Sequence, residues 1–182
     1  DAVLMLREAH RLAREEQRVV VFIEPIALYP MRDLLEPGDG AWMTCYPDPD
    51  QRLSLSDVGV HGEGSDLAIL TYGNGHYLSR QAQADLAAQG VQTRVIDLRW
   101  IAPLAEEAII AAIGTRPVLI VDECRRSGGQ AEALMALLQE RGIKGYARLT
   151  AEDSFIATGP AYAATLPSRE SIVTAAHSLL GR

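Results

Sequence analysis

The chain opens with two apolar patterns of different period. Apolar positions at helical spacing over the first eighteen residues predict a helix that Asp1 can cap and that ends near Arg18. The uninterrupted apolar run Val19–Ile23 follows, a pattern that predicts a strand buried on both faces. Glu24 and Pro25 end this strand, because proline has no N–H to donate to a neighbouring strand.

Regularity is lost over residues 30–56. This stretch holds four prolines and the turn sequence Pro37-Gly38-Asp39-Gly40. Prolines and glycines at this density interrupt both helices and strands. The pattern therefore predicts a long irregular connection between two domains.

From residue 57 onward, short apolar runs alternate with helical spacings. Strands are predicted over 57–61, 67–72, 93–98, 118–121 and 146–149, and helices over 77–89, 103–113, 130–141 and from Ser168 to near the end. Strands that alternate with helices of ten to thirteen residues form βαβ units. The sequence therefore predicts a parallel sheet with helices on both faces.

Length and charge narrow the class of protein. A chain of 182 residues corresponds to one domain, or to one domain with a piece of another, and its start at Asp1 inside a helical pattern suggests a fragment of a longer polypeptide. The net charge of −7 disfavours a free-standing nucleic-acid-binding protein. The sequence contains no run of 18 apolar residues, so no membrane span is predicted. No signal peptide is recognisable. Cys45 and Cys124 lie far apart outside any CxxC motif, as is typical of a reduced, cytoplasmic protein.

Polar residues concentrate where the predicted parallel strands end. We call five of them the polar rim: His76, Arg99, Glu123, Arg125 and Arg126. In an open α/β sheet, ligands bind at the carboxyl ends of the strands, and arginines there are able to hold an anion. The simpler interpretation, that these arginines pair with neighbouring acids, is favoured because most such charges are solvated or paired.

Other candidate chemistry in the sequence is weak. Gly73-Asn74-Gly75 begins like a dinucleotide-binding fingerprint, but Leu78 replaces its third glycine. The four histidines lack the spacing of a metal site, and His76 is predicted to be a loop or interface residue. Cys124 has two arginines beside it that would activate a thiol, yet a buried residue at a strand end is the favoured interpretation.

Gly38-Asp39-Gly40, followed 34 residues later by Asn74, is similar to the metal–diphosphate signature of thiamine diphosphate enzymes. That signature requires its Gly-Asp-Gly at the end of a strand, whereas this one lies in a proline-rich connection. We therefore interpret the match as coincidental and assign the chain no metal-binding, cofactor-binding or catalytic residue.

Several short motifs, taken in order, resemble the beta chain, or beta half, of the decarboxylating component of 2-oxo acid dehydrogenase complexes. The motifs are Val19–Pro25 with Leu28-Tyr29, Gly62–Gly73, His76, Val95–Arg99 with Pro103-Leu104, and Val121–Glu123 with Gly128-Gly129 and Glu132. No single motif is specific to the family, but the order and spacing of the set over residues 19–132 are. The long 37–42 stretch and the late position of Arg32 depart from the usual pattern and indicate a variant, such as one with fused alpha and beta halves.

The resemblance implies a fold and a division of the chain. The fold would be a three-layer α/β/α sandwich whose mostly parallel five-stranded sheet has one antiparallel edge strand, for which residues 57–61 are the candidate. Residues 1–29 would be the tail of an upstream pyrimidine-binding domain and residues 30–56 an interdomain connection. Residues 57–182 would form a domain like the C-terminal domain of transketolase.

The resemblance also implies a function for the parent protein. The parent would use thiamine diphosphate and magnesium (Mg) to decarboxylate a 2-oxo acid oxidatively and transfer the acyl group to a lipoyl group. This chain would be its non-catalytic structural and dimerisation domain, binding no cofactor. Its partners would be a second copy, the rest of the dehydrogenase chain and the lipoyl acyltransferase core. The alternative that the residues leave open is an independent flavodoxin-like module that binds a small ligand or anion after Tyr72, Leu98 and Glu123.

Overall fold

One five-stranded sheet organises the molecule. The computed structural model describes all 182 residues. The strands are β1 (Gly59–His61), β2 (Leu67–Thr71), β3 (Thr93–Asp97), β4 (Val118–Arg125) and β5 (Tyr146–Ala151). The helices are α1 (Ala2–Glu15), α2 (Gly73–Ala88), α3 (Glu106–Ile113), α4 (Gln130–Glu140) and α5 (Arg169–Leu180), with short 3₁₀ turns at Ile26–Leu28 and Gly159–Ala164. None of these helices is both long and apolar enough to span a membrane.

The strand order is β1-β3-β2-β4-β5. Strands β2 to β5 are parallel to their neighbours, whereas β1 is antiparallel to β3, with Gly59 opposite Asp97. The predicted fold class is confirmed, including the antiparallel edge strand within residues 57–61. In this order the connections after β2 and after β4 leave in opposite directions, so the carboxyl ends of these two neighbours mark the topological switch point.

The sheet is buried on both faces, which makes the domain three layers thick. Helices α3 and α4 cover one face, where Leu70, Ile96 and Ile120 of the strands pack against Leu134 of α4. Helices α2 and α5 cover the other face, which contributes a second core cluster. Its members are Leu67, Ile69, Ala82, Leu86, Val91, Val95, Leu119, Val121, Ile172 and Ala176. The continuous apolar runs in the sequence are explained by this burial on both faces.

Some of the predicted helix boundaries are confirmed, and others differ by several residues. Ser168 caps α5 as predicted, in a reciprocal capping box with Ser171. Helix α1 ends at Glu15, before the predicted Arg18, and α3 begins at Glu106, after the predicted Pro103. The largest difference is α2, which starts at Gly73, four residues before the predicted start at residue 77.

The predicted strand Val19–Ile23 is wrong. The segment has no regular secondary structure and pairs with no strand, and Val19, Val21 and Ile23 are 96%, 80% and 68% exposed. The sheet ends at β1 and β5, so this segment has no neighbour with which to exchange hydrogen bonds. An apolar run becomes a strand only where a partner edge is within reach.

The connection over residues 30–56 is irregular, as predicted, but it is attached to the sheet domain. Tyr77 and Gln81 of α2 donate to the carbonyl oxygens of Asp33 and Leu34, at 2.9 and 2.7 Å. Trp100 donates to the carbonyl of Ser54 at 3.0 Å. The connection therefore lies along the carboxyl edge of the sheet rather than free in solvent.

Candidate functional site

The carboxyl ends of β2, β3 and β4 bring polar side chains together in three groups. The first, which we call the histidine cluster, consists of His61, His76, Arg80, Asp97 and Arg99. The imidazole rings of His61 and His76 stack with their centroids 4.7 Å apart. Nδ1 of His76 lies 3.5 Å from Oδ2 of Asp97, and Nη1 of Arg80 lies 2.8 Å from Nδ1 of His61.

The contacts of the histidine cluster fix the tautomer of each imidazole. A guanidinium only donates, so Nδ1 of His61 accepts from Arg80 and Nε2 carries the proton. Nδ1 of His76 faces the Asp97 carboxylate and carries its proton there, which leaves Nε2 of His76 as an acceptor. Both Nε2 atoms are buried and have no hydrogen-bond partner. Orphaned buried nitrogens of this kind mark a site where a change of protonation has a large effect.

Burial sets the charges in this cluster. It lowers the pKa of His61 to about 4, with Arg80 and Arg99 adding to the shift. Burial also lowers the pKa of His76 to about 3, assisted by His61 and the same two arginines. Burial raises the pKa of Asp97 to about 6, against the opposing attraction of Arg99. At neutral pH the cluster therefore holds two neutral imidazoles, one carboxylate and two guanidinium groups.

The remaining contacts of the cluster cover it in part from solvent. Arg99 reaches the carboxylate of Asp1 at 2.7 Å and the carbonyl of Val58 at 3.1 Å. The indole of Trp42, from the connection, lies 5.3 Å from the ring of His76. Of the two predictions for His76, a loop or an interface residue, the loop is wrong: His76 lies in the first turn of α2, and its side chain is only 12% exposed.

The second group fills the switch point between β2 and β4. The hydroxyl of Tyr72 donates to Oδ1 of Asp122 at 2.5 Å, and the amide of Ala131 at the start of α4 donates to Oδ2 at 2.8 Å. Beside them, Asn74 donates to Glu123 at 2.6 Å. Burial raises the pKa of the Glu123 carboxyl and of the Tyr72 hydroxyl. The crevice that binds ligands in other open α/β sheets is occupied here by the protein's own side chains.

The third group is exposed, at the end of β4. Arg125 and Arg126 make no side-chain hydrogen bond and no ion pair, whereas Ser127 donates to Asp153 through its backbone and its hydroxyl, at 2.9 and 2.6 Å. A shallow cavity of about 560 Å³ lies here, lined by Arg125, Ser127, Asp153, Ser154 and Phe155. The five members of the polar rim are thus divided: His76 and Arg99 lie in the histidine cluster, Glu123 points to Asn74, and only Arg125 and Arg126 are free.

The expectation that Cys124 is buried is wrong. Strand β4 continues to Arg125 instead of ending near Val121, and its register with β5 shifts between Asp122 and Arg125. Burial ends after Asp122 along this strand, and Cys124 is exposed.

The Gly-Asp-Gly turn does not fit a metal–diphosphate site. Both oxygens of Asp39 accept backbone amides, from Leu34 and Ala41 on one side and from Leu35 and Glu36 on the other, at 2.7 to 3.0 Å. These bonds lower the pKa of the Asp39 carboxyl strongly. Asn74 is bonded to Glu123, and no group of three His, Cys, Asp or Glu side chains is arranged to hold a metal ion.

Sequence reasoning missed His61, Arg80 and Trp42. His61 lies on the antiparallel edge strand, and its contact with His76 depends on the pairing of β1 with β3, which joins segments far apart in the chain. Arg80 lies one turn after His76 on α2, a spacing that is readable once the helix is known to begin at Gly73. Nothing in the sequence connects Trp42 to the cluster.

Comparisons with known proteins place these features in a family context. The model of the transketolase C-terminal domain family matches residues 56–172. The chain is 28% identical over 166 residues to the pyruvate dehydrogenase E1 component subunit beta of Bacillus subtilis, covering 88% of this chain and 48% of that protein. It is 30% identical over 139 residues to the same subunit of Staphylococcus aureus, covering 74% and 43%. The chain thus spans about half the length of these curated relatives.

Solved structures agree on the fold. A split-gene transketolase, described as an inactive beta4 tetramer, superposes with a TM-score of 0.65 at 22% identity, over 74% of this chain and 44% of that one. A 2-oxoglutarate:ferredoxin oxidoreductase from Magnetococcus marinus superposes with a TM-score of 0.52 at 20% identity, over 68% and 20%. At these identities the likeness concerns the arrangement of the sheet and helices.

Proposed function

The chain belongs to the transketolase C-terminal domain family, and from this premise we propose that it is the non-catalytic C-terminal domain of a thiamine-diphosphate-dependent 2-oxo acid dehydrogenase. The observation that carries the proposal is the family match over residues 56–172, together with the likeness to E1 beta subunits over as much as 88% of the chain. The resemblance that the short motifs indicated is confirmed at the level of the transketolase C-terminal domain family.

The parent enzyme would decarboxylate a 2-oxo acid oxidatively and transfer the acyl group to a lipoyl group. Thiamine diphosphate and Mg²⁺ would be held by segments outside this chain. In support, the carboxylate of Asp39, in the only Gly-Asp-Gly of the chain, already accepts hydrogen bonds from four backbone amides. No step of the chemistry is therefore assigned to residues of this chain.

We propose the same division of the chain that the resemblance implies. Residues 1–29 belong with an upstream domain, residues 30–56 connect the two domains, and residues 57–182 form the C-terminal domain. The start of the family match at residue 56 supports the second boundary. The exposed apolar run Val19–Ile23 supports the first, because an exposed apolar segment of this kind marks a surface that another part of the protein covers.

The proposed partners are a second copy of the chain, the rest of the dehydrogenase and the lipoyl acyltransferase core, in the cytoplasm. Arg125 and Arg126 would lie on the surface that faces such a partner, since they are exposed and form no ion pair. Exposed charges at a rim mainly affect the rate and salt dependence of association. An independent small-ligand module has less support, because Tyr72, Asn74, Asp122 and Glu123 fill the switch-point crevice.

Calorimetric titration tests the assignment of the cofactor to other segments. The 182-residue chain is titrated with thiamine diphosphate and Mg²⁺, and no binding is expected. Reconstitution with the preceding half of the parent should restore both cofactor binding and decarboxylation with an artificial acceptor. Binding to the isolated chain tighter than about 100 μM, about 5.5 kcal/mol, and its loss in Asp39→Ala, would overturn the proposal.

Sedimentation over a concentration range tests the dimerisation role. The chain is expected to self-associate, or to remain a monomer that binds a hydrophobic dye, because Val19, Val21 and Ile23 are exposed. Val21→Asp should reduce association or dye binding, while Gln51→Asp on the exposed connection serves as the control of equal charge. A compact monomer that binds no dye would count against the proposed role.

A further inference from the structure

The histidine cluster lies beneath a small, internally braced piece of the connection. We call residues 33–42 the connector loop. The carboxylates of Asp33 and Asp39 accept backbone amides within this loop, so it has a defined shape of its own. It is attached to α2 by the bonds from Tyr77 and Gln81 and by Trp42, which contacts the rings of His76 and Tyr77 at centroid distances of 5.3 and 4.9 Å.

Charged groups surround the two neutral imidazoles from every element that packs against them. The positive groups are Arg80 of α2, Arg99 after β3 and the amino group of Asp1. The negative groups are Asp97 of β3, which faces His76, and the carboxylates of Asp1 and Asp57, which act on Arg99. Only Asp97 contacts an imidazole, so a single carboxylate is available to neutralise the positive charge that proton uptake would add.

We propose that the histidine cluster is an acid-sensitive clamp: with both imidazoles neutral it holds the connector loop against α2, and proton uptake by the cluster releases the loop. The two states are the loop docked over His76 and the loop undocked, with the sheet and its helices unchanged. The proposal rests on the stacked imidazoles, their orphaned Nε2 atoms and the covering Trp42.

The direction follows from the burial of the imidazoles, to which the docked loop contributes by placing Trp42 over His76. Burial lowers the pKa of His61 to about 4 and of His76 to about 3, so the docked state resists protons that an exposed imidazole accepts near pH 6.5. Docking therefore weakens as the pH falls below 6.5. Burial raises the pKa of Asp97 to about 6, so the docked state gains one proton there, which leaves a net difference of about one proton. The docking constant should then fall up to tenfold per pH unit between pH 6 and about pH 4.5.

Tryptophan fluorescence tests the clamp. Trp100→Phe leaves Trp42 as the only tryptophan of the 182-residue chain, and its emission is followed from pH 7.5 to 4.5. We expect a reversible red shift below pH 6, while the far-ultraviolet circular dichroism stays constant. His76→Asn should abolish this shift or move its midpoint by at least half a pH unit, and His10→Asn, on the exposed face of α1, should leave it unchanged.

Hydrogen exchange of the unmodified chain gives a second readout that needs no variant. The amides of Leu34 and Gly40 donate within the connector loop, and that of Trp42 donates to the carbonyl of Arg32 just before it. Their protection factors, corrected for the pH dependence of intrinsic exchange, should be lower at pH 5 than at pH 7.5. Quenching of Trp42 without a red shift would mean that His76 is protonated in place, and it would overturn the proposal. So would a transition whose midpoint moves by less than half a pH unit in His76→Asn, or one that coincides with loss of circular dichroism.

Discussion

Two apolar runs of nearly the same composition have opposite fates in this molecule. Val118–Val121 forms the first half of β4, and all four of its residues are fully buried. Val19–Ile23 is at least as hydrophobic, yet three of its five side chains are more than two-thirds exposed. The first run has β2 and β5 on either side, and the second has no strand on either side.

The difference shows that a hydrophobic sequence favours burial, but that a buried strand also requires neighbouring strands. A strand is stabilised by the hydrogen bonds and cross-strand contacts of its neighbours, so the same residues contribute little without them. Residues 59–182 contain all five strands, two core clusters and the helices that cover them. Residues 16–58 contain one short 3₁₀ turn, and hydrogen bonds from α2 and from the loop after β3 attach them to the sheet domain.

The largest expected effect comes from the same truncation made in each run. Ile120→Ala removes three buried carbons from the packing between β4 and the covering helices and should lower the free energy of unfolding by about 3 kcal/mol. Ile23→Ala removes a side chain that is 68% exposed and should change it by less than about 0.5 kcal/mol. Urea denaturation followed by circular dichroism measures both. A cost above about 1 kcal/mol for Ile23→Ala would show that the N-terminal run is packed in solution.

A second pair compares two aspartates that both accept backbone amides. Asp122 is fully buried and bonds Tyr72, Cys124 and Ala131. Asp122→Ala should cost about 2 kcal/mol of unfolding free energy, because these three donors lose their acceptor inside the protein. Asp39→Ala should leave the main unfolding transition in place and increase only the amide exchange of the connector loop. Equal effects on global stability would break the distinction between the two regions.

The pH dependence of stability sharpens the comparison, because the histidine cluster joins the two regions. The lowered pKa values of His61 and His76 contribute stability that is present above pH 6.5 and is lost as the pH falls toward 4 and then 3. The raised pKa of Asp97 acts in the opposite direction between pH 6 and its unfolded value near 3.8. With solvent screening at His61, which is only half-buried, unfolding free energy should fall by about 1 kcal/mol per pH unit below pH 6. Urea titrations at pH 7, 6 and 5 measure this slope, and a slope that persists in the double variant His61→Asn/His76→Asn would contradict it.

The smallest expected effect concerns Arg125 and Arg126. In the proposed parent enzyme, Arg125→Ala or Arg126→Ala should leave decarboxylation with an artificial acceptor within about threefold, less than 1 kcal/mol. Under the proposed association role, turnover that depends on the assembled complex should decrease more, since exposed charges mainly affect association. A hundredfold loss in the artificial-acceptor assay would instead place these arginines in the active site.

The sheet domain could be predicted from sequence because its signals are local and repeated. Each apolar run in residues 59–182 is followed by a helical spacing, and Ser168 and the glycines after the helices mark where elements start and stop. Boundaries were less readable where a helix starts on glycines: Gly73 and Gly75 look like a turn, yet they form the first turn of α2. Gly75 is required there, because a Cβ at this position would come within 2.5 Å of Thr71 Oγ1.

The candidate site was only half predictable. Strand ends indicated where His76, Arg99 and Glu123 would gather, since carboxyl ends of parallel strands share one edge. The partners that decide their chemistry come from elsewhere: His61 from an antiparallel edge strand and Trp42 from a connection without secondary structure. Long-range contacts of this kind leave no periodic signal in a single sequence. The exposure of Cys124 was missed for a similar reason, because a register shift between β4 and β5 determines it.

The strand order also has a consequence for how the chain acquires its shape during synthesis. Strand β1 leaves the ribosome first, but its only neighbour is β3, and β3 ends at Asp97, 36 residues after His61. The nascent chain therefore carries β1 as an unmatched edge while β2 and α2 emerge. A strand of only three residues, followed by Glu63 and Asp66, offers other nascent chains little to pair with during that interval. The brevity of β1 is thus suited to a strand that must wait for its neighbour.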